Sequence, residues 1–156
     1  MEKIKTNNRE PSLDDDEFFM RQALREAEAA YSEGEVPIGA VIVCGGSVVA
    51  RAHNQTERLH DVTAHAEMIA FTSAANTLGA KYLPDCTLYV TVEPCPMCAG
   101  AASWEQVGRI VYGAADPKKG FSLIGSAMLH PRTKVLGGVM EQECARLMKE
   151  FFKRKR

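Results

Sequence analysis

The sequence predicts an α/β protein, a three-layer α/β/α sandwich in which helices cover both faces of a mixed β-sheet. Segments with apolar residues at helical spacing alternate along the chain with short runs of β-branched residues. This alternation implies parallel crossovers, while a Gly-Gly connection between two of the runs implies one antiparallel hairpin. The 156 residues, 46% hydrophobic and 25% charged, match one ordinary globular domain with its own core.

The first predicted helix covers residues 13–33, where apolar residues recur at helical spacing. Ser12 or Asp14 can accept hydrogen bonds from the free N–H groups at the start of this helix, and Gly34 is a natural residue to end it. Residues 1–12 show no apolar periodicity, so we expect a flexible N-terminal segment.

Two β-branched runs follow the first helix, over 38–44 and 47–52, and both are typical of strands. Gly45 and Gly46 between them supply the two residues of a tight turn, so we expect the strands to form an antiparallel hairpin. A polar loop over 53–62 then leads to the second helical segment.

The second half of the chain continues the alternation of helix and strand. Thr63 is the predicted N-cap of a helix over 64–78, and Gly79 is predicted to end that helix. Pro94 favours the start of another helix because proline is tolerated in the first helical turn. The remaining predicted elements are a strand over 87–92, a short helix from about 95 to 104, a strand over 109–112 and a last helix over 141–152.

Charge and hydropathy exclude several classes of protein. Nineteen basic against twenty acidic residues give a net charge of −1, so no global positive field attracts nucleic acid, and any such partner must meet a local patch. The longest uncharged apolar stretch, 36–50, falls short of the roughly 20 residues that span a bilayer. With no secretory signal visible at the N-terminus, we expect a cytoplasmic protein in a reducing compartment.

One histidine, one carboxylate and two thiols carry the strongest chemical signal. His65 and Glu67 open one predicted helix, and Cys95 and Cys98 open another. Zn²⁺ favours tetrahedral nitrogen and sulfur donors, and a site with three protein ligands leaves the fourth position for water, as in catalytic sites. Glu67 lies near enough to serve as the base for that water without being a ligand. A Cys-x-x-Cys pair on its own also fits a redox dithiol or a structural zinc knuckle.

The remaining cysteines and histidines receive plainer interpretations. Cys44, Cys86 and Cys144 fall on or beside apolar segments, where a free cysteine behaves as a small buried hydrophobe, so we expect them in the core. His53 and His60 lie in or beside a polar loop and are left out of the metal site.

The motif and its context resemble the cytidine and nucleobase deaminase superfamily, and more narrowly the bacterial tRNA-specific adenosine deaminases. The resemblance runs from about residue 18 to the C-terminus. The segments that carry it are Glu-Val-Pro-Ile-Gly-Ala-Val at 35–41, Asn54, Thr-Ala-His-Ala-Glu at 63–67, Leu-Tyr-Val-Thr-Val-Glu-Pro-Cys-Pro-Met-Cys-Ala-Gly-Ala at 88–101, Gly-Arg-Ile-Val-Tyr-Gly at 108–113 and Phe151-Phe152.

This resemblance implies a cytidine deaminase-like fold with a five-stranded sheet, and a single zinc-dependent deaminase domain over 13–156. It implies hydrolytic deamination of the wobble adenosine in a tRNA anticodon stem-loop to inosine, with one Zn²⁺ per subunit. Glu67 would move the protons of the reaction. The implied substrate contacts are Val36 and Val92 as walls, Asn54 toward the target nucleotide, the Ala66 backbone N–H toward the base, and Asp116 beside the RNA. Asn54 and Asp116 are also ordinary turn residues.

The C-terminal end is the main local basic patch, and it fits either a solvated helix end or a phosphate-binding surface. The candidate RNA-binding residues are Lys118, Lys119, Phe152, Lys153, Arg154, Lys155 and Arg156. The resemblance further implies a homodimer with its active site near the subunit interface. Small residues in the segment 99–104 would allow another helix to pack closely. No other protein partner is evident from the sequence.

The sequence departs from the family pattern in loops that shape the mouth of a substrate pocket. Val62 replaces a usual proline, Ala115 stands where arginine is common, and the stretch 120–138 is several residues shorter. Pro96 and Trp104 are similar to those of small guanine deaminases in the same superfamily. Guanine, cytosine or cytidine deamination is therefore the alternative, and a non-catalytic, zinc-stabilised RNA-binding module is a third possibility.

Overall fold

The computed structural model describes residues 11–155. Its helices are α1 (Leu13–Ser32), α2 (Ala66–Leu78), α3 (Pro96–Trp104) and α4 (Glu141–Arg154). Its strands are β1 (Gly39–Cys44), β2 (Ser47–His53), β3 (Cys86–Val92), β4 (Arg109–Ala114) and β5 (Lys134–Leu136). Short 3₁₀ turns, Phe121–Leu123 and Ser126–Met128, lie between β4 and β5. None of the helices described is long and apolar enough to cross a membrane.

The strands form one mixed sheet in the order β2-β1-β3-β4-β5. β1 pairs antiparallel with β2 and with β3, whereas β3 and β4, and then β4 and β5, pair in parallel. The turn between β1 and β2 uses positive φ angles at both Gly45 and Gly46, as the predicted hairpin requires. The mixed five-stranded α/β sheet is therefore confirmed. β5 gave no periodic signal because it has three residues, all exposed.

Helices cover both faces of this sheet and produce two hydrophobic cores. On one face α2 and α3 pack over Ile42, Val90 and Ile110. On the other face α1 and α4 pack over Val41, Tyr89 and Val111. Because alternate residues of one strand point to opposite faces, the two cores share the same central strands. The three-layer arrangement follows, and it places the starts of α2 and α3 on one side of the sheet.

Cysteines outside the predicted metal site belong to these cores. Cys86 and Cys144 are buried, and Cys44 is half-buried against the same cluster as Cys86. The burial of Cys86 and Cys144 fits their interpretation as small hydrophobic residues.

The start of α1 is capped as the sequence indicates. The Ser12 side chain accepts a hydrogen bond from the Asp15 backbone N–H at 3.2 Å, and the Asp15 carboxylate accepts one from the Ser12 N–H at 2.9 Å. This reciprocal pair is a capping box. Ser12 thus has a defined place, while residues 1–10 of the segment predicted to be flexible lie outside the described residues.

The start of α2 differs from the prediction. Thr63 was expected to cap this helix, but the N-cap is His65 and the helix begins at Ala66. The Asp61 carboxylate accepts hydrogen bonds from the backbone N–H and the hydroxyl of Thr63, at 2.8 and 2.7 Å. Because Asp61 holds Thr63 in this turn, Thr63 is not available as a cap. His65 is therefore extended, with φ −71° and ψ 151°, just before the helix.

A buried ion pair ties α1 to the centre of the sheet. The Arg109 guanidinium donates to both carboxylate oxygens of Asp16, at 2.7 and 2.8 Å, and the Tyr89 hydroxyl donates to the same carboxylate at 2.8 Å. Asp16 is 1% exposed, so its charge depends on these donors. The network fixes the first turn of α1 against β3 and β4.

Candidate active site

Two helix N-termini meet beside the carboxyl end of β3. His65 is the N-cap residue of α2 and Cys95 is the N-cap residue of α3, with Cys98 one turn into the same helix. Neither His65 nor Cys95 makes a side-chain capping hydrogen bond to its helix. Instead His65 Nδ1 lies 3.6 Å from Cys95 Sγ and 3.5 Å from Cys98 Sγ. The fold thus brings together the three residues that the sequence predicted as metal ligands.

The geometry of this group fits a tetrahedral zinc site. The three ligand atoms all lie within 4.8 Å of one another. Zn–N and Zn–S bonds of about 2.0 and 2.3 Å at tetrahedral angles separate the donors by roughly 3.6 Å, which is the separation observed between the imidazole and each thiol. One nitrogen and two sulfur donors are also the atoms that Zn²⁺ prefers, and they leave one position open.

The two thiols differ in their acidity. Hydrogen bonds from Cys98 and His65 lower the pKa of Cys95 to about 4, although burial opposes this shift. The pKa of Cys98 is raised, because its thiol donates to Cys95 and is buried. Cys95 is therefore a ready thiolate ligand, and a bound cation would displace the proton of Cys98.

Glu67 lies in the first turn of α2 and is 4% exposed. Burial raises its pKa, against the opposing effect of the nearby His65. The group of converging ligand atoms contains His65, Cys95 and Cys98 but not the Glu67 carboxylate. A buried carboxyl group with a raised pKa can hold a proton and release it, which suits a general acid–base role better than metal ligation.

A cavity of about 280 Å³ opens in front of these side chains. Its lining includes the predicted substrate-binding residues Val36, Asn54, Ala66, Val92 and Asp116, together with Lys119 and Phe152. The walls are largely apolar, with a few polar side chains close to the metal-ligating group. Such a cavity suits a flat heterocyclic base whose polar atoms are read at one edge.

Several residues that line the cavity were not predicted from the sequence. Ile38, Thr56 and Met148 also line the cavity. Met148 lies one helical turn before Phe152 on α4, so helical spacing was the signal that could have identified it. Glu93 also lines the cavity, as part of the Glu-Pro-Cys motif, although only the cysteines of that motif were assigned a role.

The predicted basic patch divides into two parts. Lys118, Phe152 and Lys153 line a groove that adjoins the cavity and also includes Lys149.

The last basic residues lie elsewhere. Arg154 lies over the Tyr31 ring at 5.3 Å, and Lys155 lies over the Phe151 ring at 5.0 Å, so both contact the protein itself. Neither Arg154 nor Lys155 is among the lining residues of the cavity or the groove. Arg156 lies outside the described residues.

Sequence comparison finds deaminases. The sequence model of the cytidine and deoxycytidylate deaminase zinc-binding region matches residues 13–114. The tRNA-specific adenosine deaminase of Bacillus subtilis (strain 168) is 45% identical over 143 residues, which cover 88% of this chain and 89% of that protein. The match therefore extends well beyond the metal-binding motifs.

Structural comparison gives the same fold. One similar structure comes from work on A-to-I editing by tRNA:A34 deaminases at the wobble position of transfer RNA. Its TM-score is 0.78 at 44% identity, covering 83% of this chain and 98% of that one. A guanine deaminase from Bacillus subtilis has a TM-score of 0.61 at 40% identity, covering 64% of each chain.

Proposed function

Because the chain belongs to the cytidine and deoxycytidylate deaminase family, we propose that it deaminates adenosine to inosine at the wobble position of tRNA. The observation that carries this proposal is the convergence of His65, Cys95 and Cys98 beside the buried carboxyl group of Glu67. The choice of substrate rests on relatives that match most of the chain and are named tRNA-specific adenosine deaminases. The reaction replaces the exocyclic amine of adenine by oxygen from water and releases ammonia.

His65, Cys95 and Cys98 would hold one Zn²⁺ in each subunit. When bound, the metal lowers the pKa of water and so supplies a nucleophile at neutral pH. Glu67 takes one proton from the attacking water and passes it to the ring nitrogen next to the reacting carbon. It then takes the second proton from the newly added hydroxyl group and passes it to the amine, which leaves as ammonia when its bond to the ring carbon breaks. Burial raises the pKa of Glu67, which favours the protonated carboxyl group that donates to the departing amine.

The cavity walls orient the base for this proton transfer. Val36 and Val92 contact the two faces of the adenine ring, and Asn54 binds the nucleotide that carries it. Ala66 is the first residue of α2, and its backbone N–H has no acceptor within the helix, so it is free to donate to the base. In the folded tRNA loop the base must be splayed out to enter such a cavity.

The adjoining groove would carry the flanking nucleotides. Lys118, Lys149 and Lys153 offer positive charge for phosphates, and Phe152 is 48% exposed between the cavity and the groove. Exposed aromatic rings stack on unpaired RNA bases. Asp116 lines both spaces, so it lies where the target nucleotide and its neighbour would join.

We also propose a homodimer. Trp104 is 84% exposed at the end of α3, close to the small residues of that helix. A large apolar side chain left in water favours contact with another protein surface.

Mass spectrometry of nucleosides tests the proposed reaction. The zinc-loaded protein is incubated with an anticodon stem-loop that carries a wobble adenosine, and in parallel with free guanine, cytosine and cytidine. We expect inosine from the stem-loop and no ammonia from the free compounds. If a free base releases ammonia and the stem-loop is unchanged, the protein is a deaminase of nucleobase salvage and not of tRNA. Stoichiometric zinc without any turnover would instead favour a binding module.

A further inference from the structure

Glu93 is a buried carboxylate that the catalytic chemistry does not use. It is 5% exposed and follows β3 directly. Its Oε1 accepts a hydrogen bond from the Asp116 backbone N–H at 3.1 Å. Its Oε2 accepts two more, from the Ser122 backbone N–H at 3.0 Å and the Ser122 hydroxyl at 2.7 Å. All three donors belong to residues 115–122, which we call the 115–122 loop.

The carboxylate fits closely against the backbone of this loop. A Cβ atom added to Gly120 would lie 2.2 Å from Glu93 Oε2 and 2.3 Å from Glu93 Cδ. Only a residue without a side chain therefore leaves room for the carboxylate at this point. The Phe121 backbone N–H also donates to the Pro94 carbonyl at 2.9 Å, next to Glu93. Both ends of the loop are thus attached to the segment that precedes the metal-ligating cysteines.

The loop presents two polar residues to the cavity. Asp116 and Lys119 line the cavity together with Glu93 itself. The Asp116 carboxylate accepts from the backbone N–H groups of Lys118 and Lys119, at 3.1 and 3.0 Å, which fixes its orientation in the turn. A shift of the backbone at Asp116 would therefore move both polar groups relative to the base.

We infer that Glu93 is a positioning residue that holds the 115–122 loop so that Asp116 is placed for substrate binding. The inference rests on the proposed function for the identity of the substrate, whereas the hydrogen bonds between Glu93 and the loop are observed independently of it. A backbone held by a charged acceptor needs no reorganisation when substrate arrives, which is how preorganised loops contribute to affinity. The Glu93 carboxylate acts through Asp116, and it takes no part in proton transfer.

A second loop close to the cavity is held in a similar way. Glu35 is 1% exposed and accepts from the backbone N–H groups of Glu57 and Arg58, at 3.0 and 2.8 Å. These residues lie in the polar loop after β2, close to the lining residue Thr56. Two buried carboxylates, Glu93 and Glu35, therefore each accept hydrogen bonds from the backbone of a loop that contributes residues to the cavity lining.

A double-mutant cycle on the loop tests the role of Glu93. Ser122→Ala removes one donor to Glu93 without changing any lining side chain, and Asp116→Ala removes the group that Glu93 is inferred to position. We expect Ser122→Ala alone to raise KM about tenfold, the effect of one hydrogen bond to a charged group, with kcat changed less than about twofold. In the Asp116→Ala background, Ser122→Ala should change KM by less than about twofold.

A matched control separates positioning from general stability. The Thr133 hydroxyl donates to the Val107 carbonyl at 2.6 Å, away from the cavity, so Thr133→Val removes a similar hydrogen bond. Thr133→Val should lower Tm and leave KM unchanged in both backgrounds. Gly120→Ala, which forces a Cβ atom onto the Glu93 carboxylate, should repeat the KM pattern of Ser122→Ala.

Two outcomes are distinguishable in this experiment. KM effects of Ser122→Ala that are equal with and without Asp116 would overturn the positioning role of Glu93. A wild-type protein that leaves the stem-loop unchanged but deaminates a free base would overturn the proposed substrate instead. In that case the cycle is measured on the base, since Asp116 lines the cavity for either substrate.

Discussion

Glu67 differs from its neighbours in the site because it is buried and acidic but does not join the ligand group. His65 lies two residues earlier in the chain, and its imidazole belongs to the group of ligand atoms, whereas the Glu67 carboxyl group contacts that group through a hydrogen bond with Cys98. At a helix start, residues two apart point in different directions, so one can bind a metal while the other faces the substrate. The proposed function uses this division, with ligation by His65 and proton transfer by Glu67.

We expect Glu67→Ala to lose deaminase activity while retaining zinc. Removal of a general acid–base group costs about 10²–10⁴-fold in rate, whereas the ligand atoms of His65, Cys95 and Cys98 remain in place. Metal analysis by atomic emission, combined with the inosine assay, checks both parts. Cys98→Ser is the matched control and should lose metal as well as activity. A zinc-free Glu67→Ala protein would show that this carboxylate is a ligand or a structural group.

We expect Arg109→Ala to destabilise the fold strongly. The substitution leaves the Asp16 carboxylate, 1% exposed, without its two guanidinium donors. Removing one partner of a buried ion pair lowers the free energy of unfolding by about 3–5 kcal/mol. Arg21 forms an exposed pair with Glu17 at 3.6 Å, so Arg21→Ala should cost less than about 1 kcal/mol. Urea unfolding measures both, and equal losses would contradict the importance of burial.

Single residues were predictable from the sequence where their chemistry is distinctive. A histidine and two cysteines at helix starts leave few alternatives, so the metal group could be assigned. Glu93 could not be assigned, because a carboxylate in the sequence carries no sign of which backbone N–H groups will surround it. Thr63 is not the cap because its backbone N–H and hydroxyl donate to the Asp61 carboxylate in a turn before the helix.

At the scale of elements, one histidine joins the edge strand β2 to α1 and to the residue that follows it. His53 ends β2, and its ring nitrogens lie 3.2 Å from Glu26 Oε1 and 2.9 Å from Glu33 Oε2. Burial lowers the pKa of His53, but the hydrogen bonds and charges of Glu26 and Glu33 outweigh it, and the net pKa is raised above 6.5. The protonated ring thus links the edge strand β2 to α1.

We expect the contribution of His53 to stability to decrease as pH rises. A pKa that is higher in the folded state gives stabilisation that is complete below the unfolded value of 6.5 and disappears as pH rises through the folded pKa. Urea unfolding of the wild type and of His53→Gln, from pH 5.5 to 8.5, measures the difference between them. This difference should be larger at the acidic end. A difference that is constant with pH would mean that the pKa of His53 is the same in the folded and unfolded states, so that Glu26 and Glu33 do not favour the protonated ring.

Elements were predictable in proportion to their length and burial. α1 and α4 were found within a few residues because each carries several turns of apolar spacing. β5 has three exposed residues and joins the sheet through parallel pairing with β4, so nothing local marks it as a strand. Tertiary pairing, rather than residue type, determines this edge.

At the scale of the molecule, the metal group connects the starts of two helices that are separated by a strand in the chain. His65 comes from the start of α2, and Cys95 and Cys98 come from the start of α3. We expect removal of zinc to lower Tm by about 10 °C, since a ligand at about a thousand times its Kd adds about 4 kcal/mol of stability. Differential scanning fluorimetry with and without a chelator measures the shift. Cys98→Ser should show no dependence on the chelator, and a similar shift in that variant would mean that the chelator acts elsewhere.

The final prediction concerns the assembly of two chains. Gly100 and Trp104 lie four residues apart on α3 and therefore share one face of that helix. Within residues 11–155, no atom outside the surrounding helix backbone lies within 4 Å of a Cβ atom built on Gly100, and Trp104 is 84% exposed, so the described part of the chain leaves this face uncovered. A small residue beside a large aromatic one allows the close approach of a second surface, in which the indole becomes a buried anchor.

Trp104 is the only tryptophan in the sequence, so its fluorescence reports directly on this face. We expect a blue-shifted emission at high protein concentration and a red shift on dilution, in step with a change from dimer to monomer mass by light scattering. Trp104→Lys should be monomeric at all concentrations, because a charge replaces the apolar anchor. Leu13→Lys changes a residue that is 62% exposed on α1, across the sheet from α3, and should remain dimeric. If Trp104→Lys also remains dimeric, the subunits associate through another surface, and the open face of α3 must be accounted for separately.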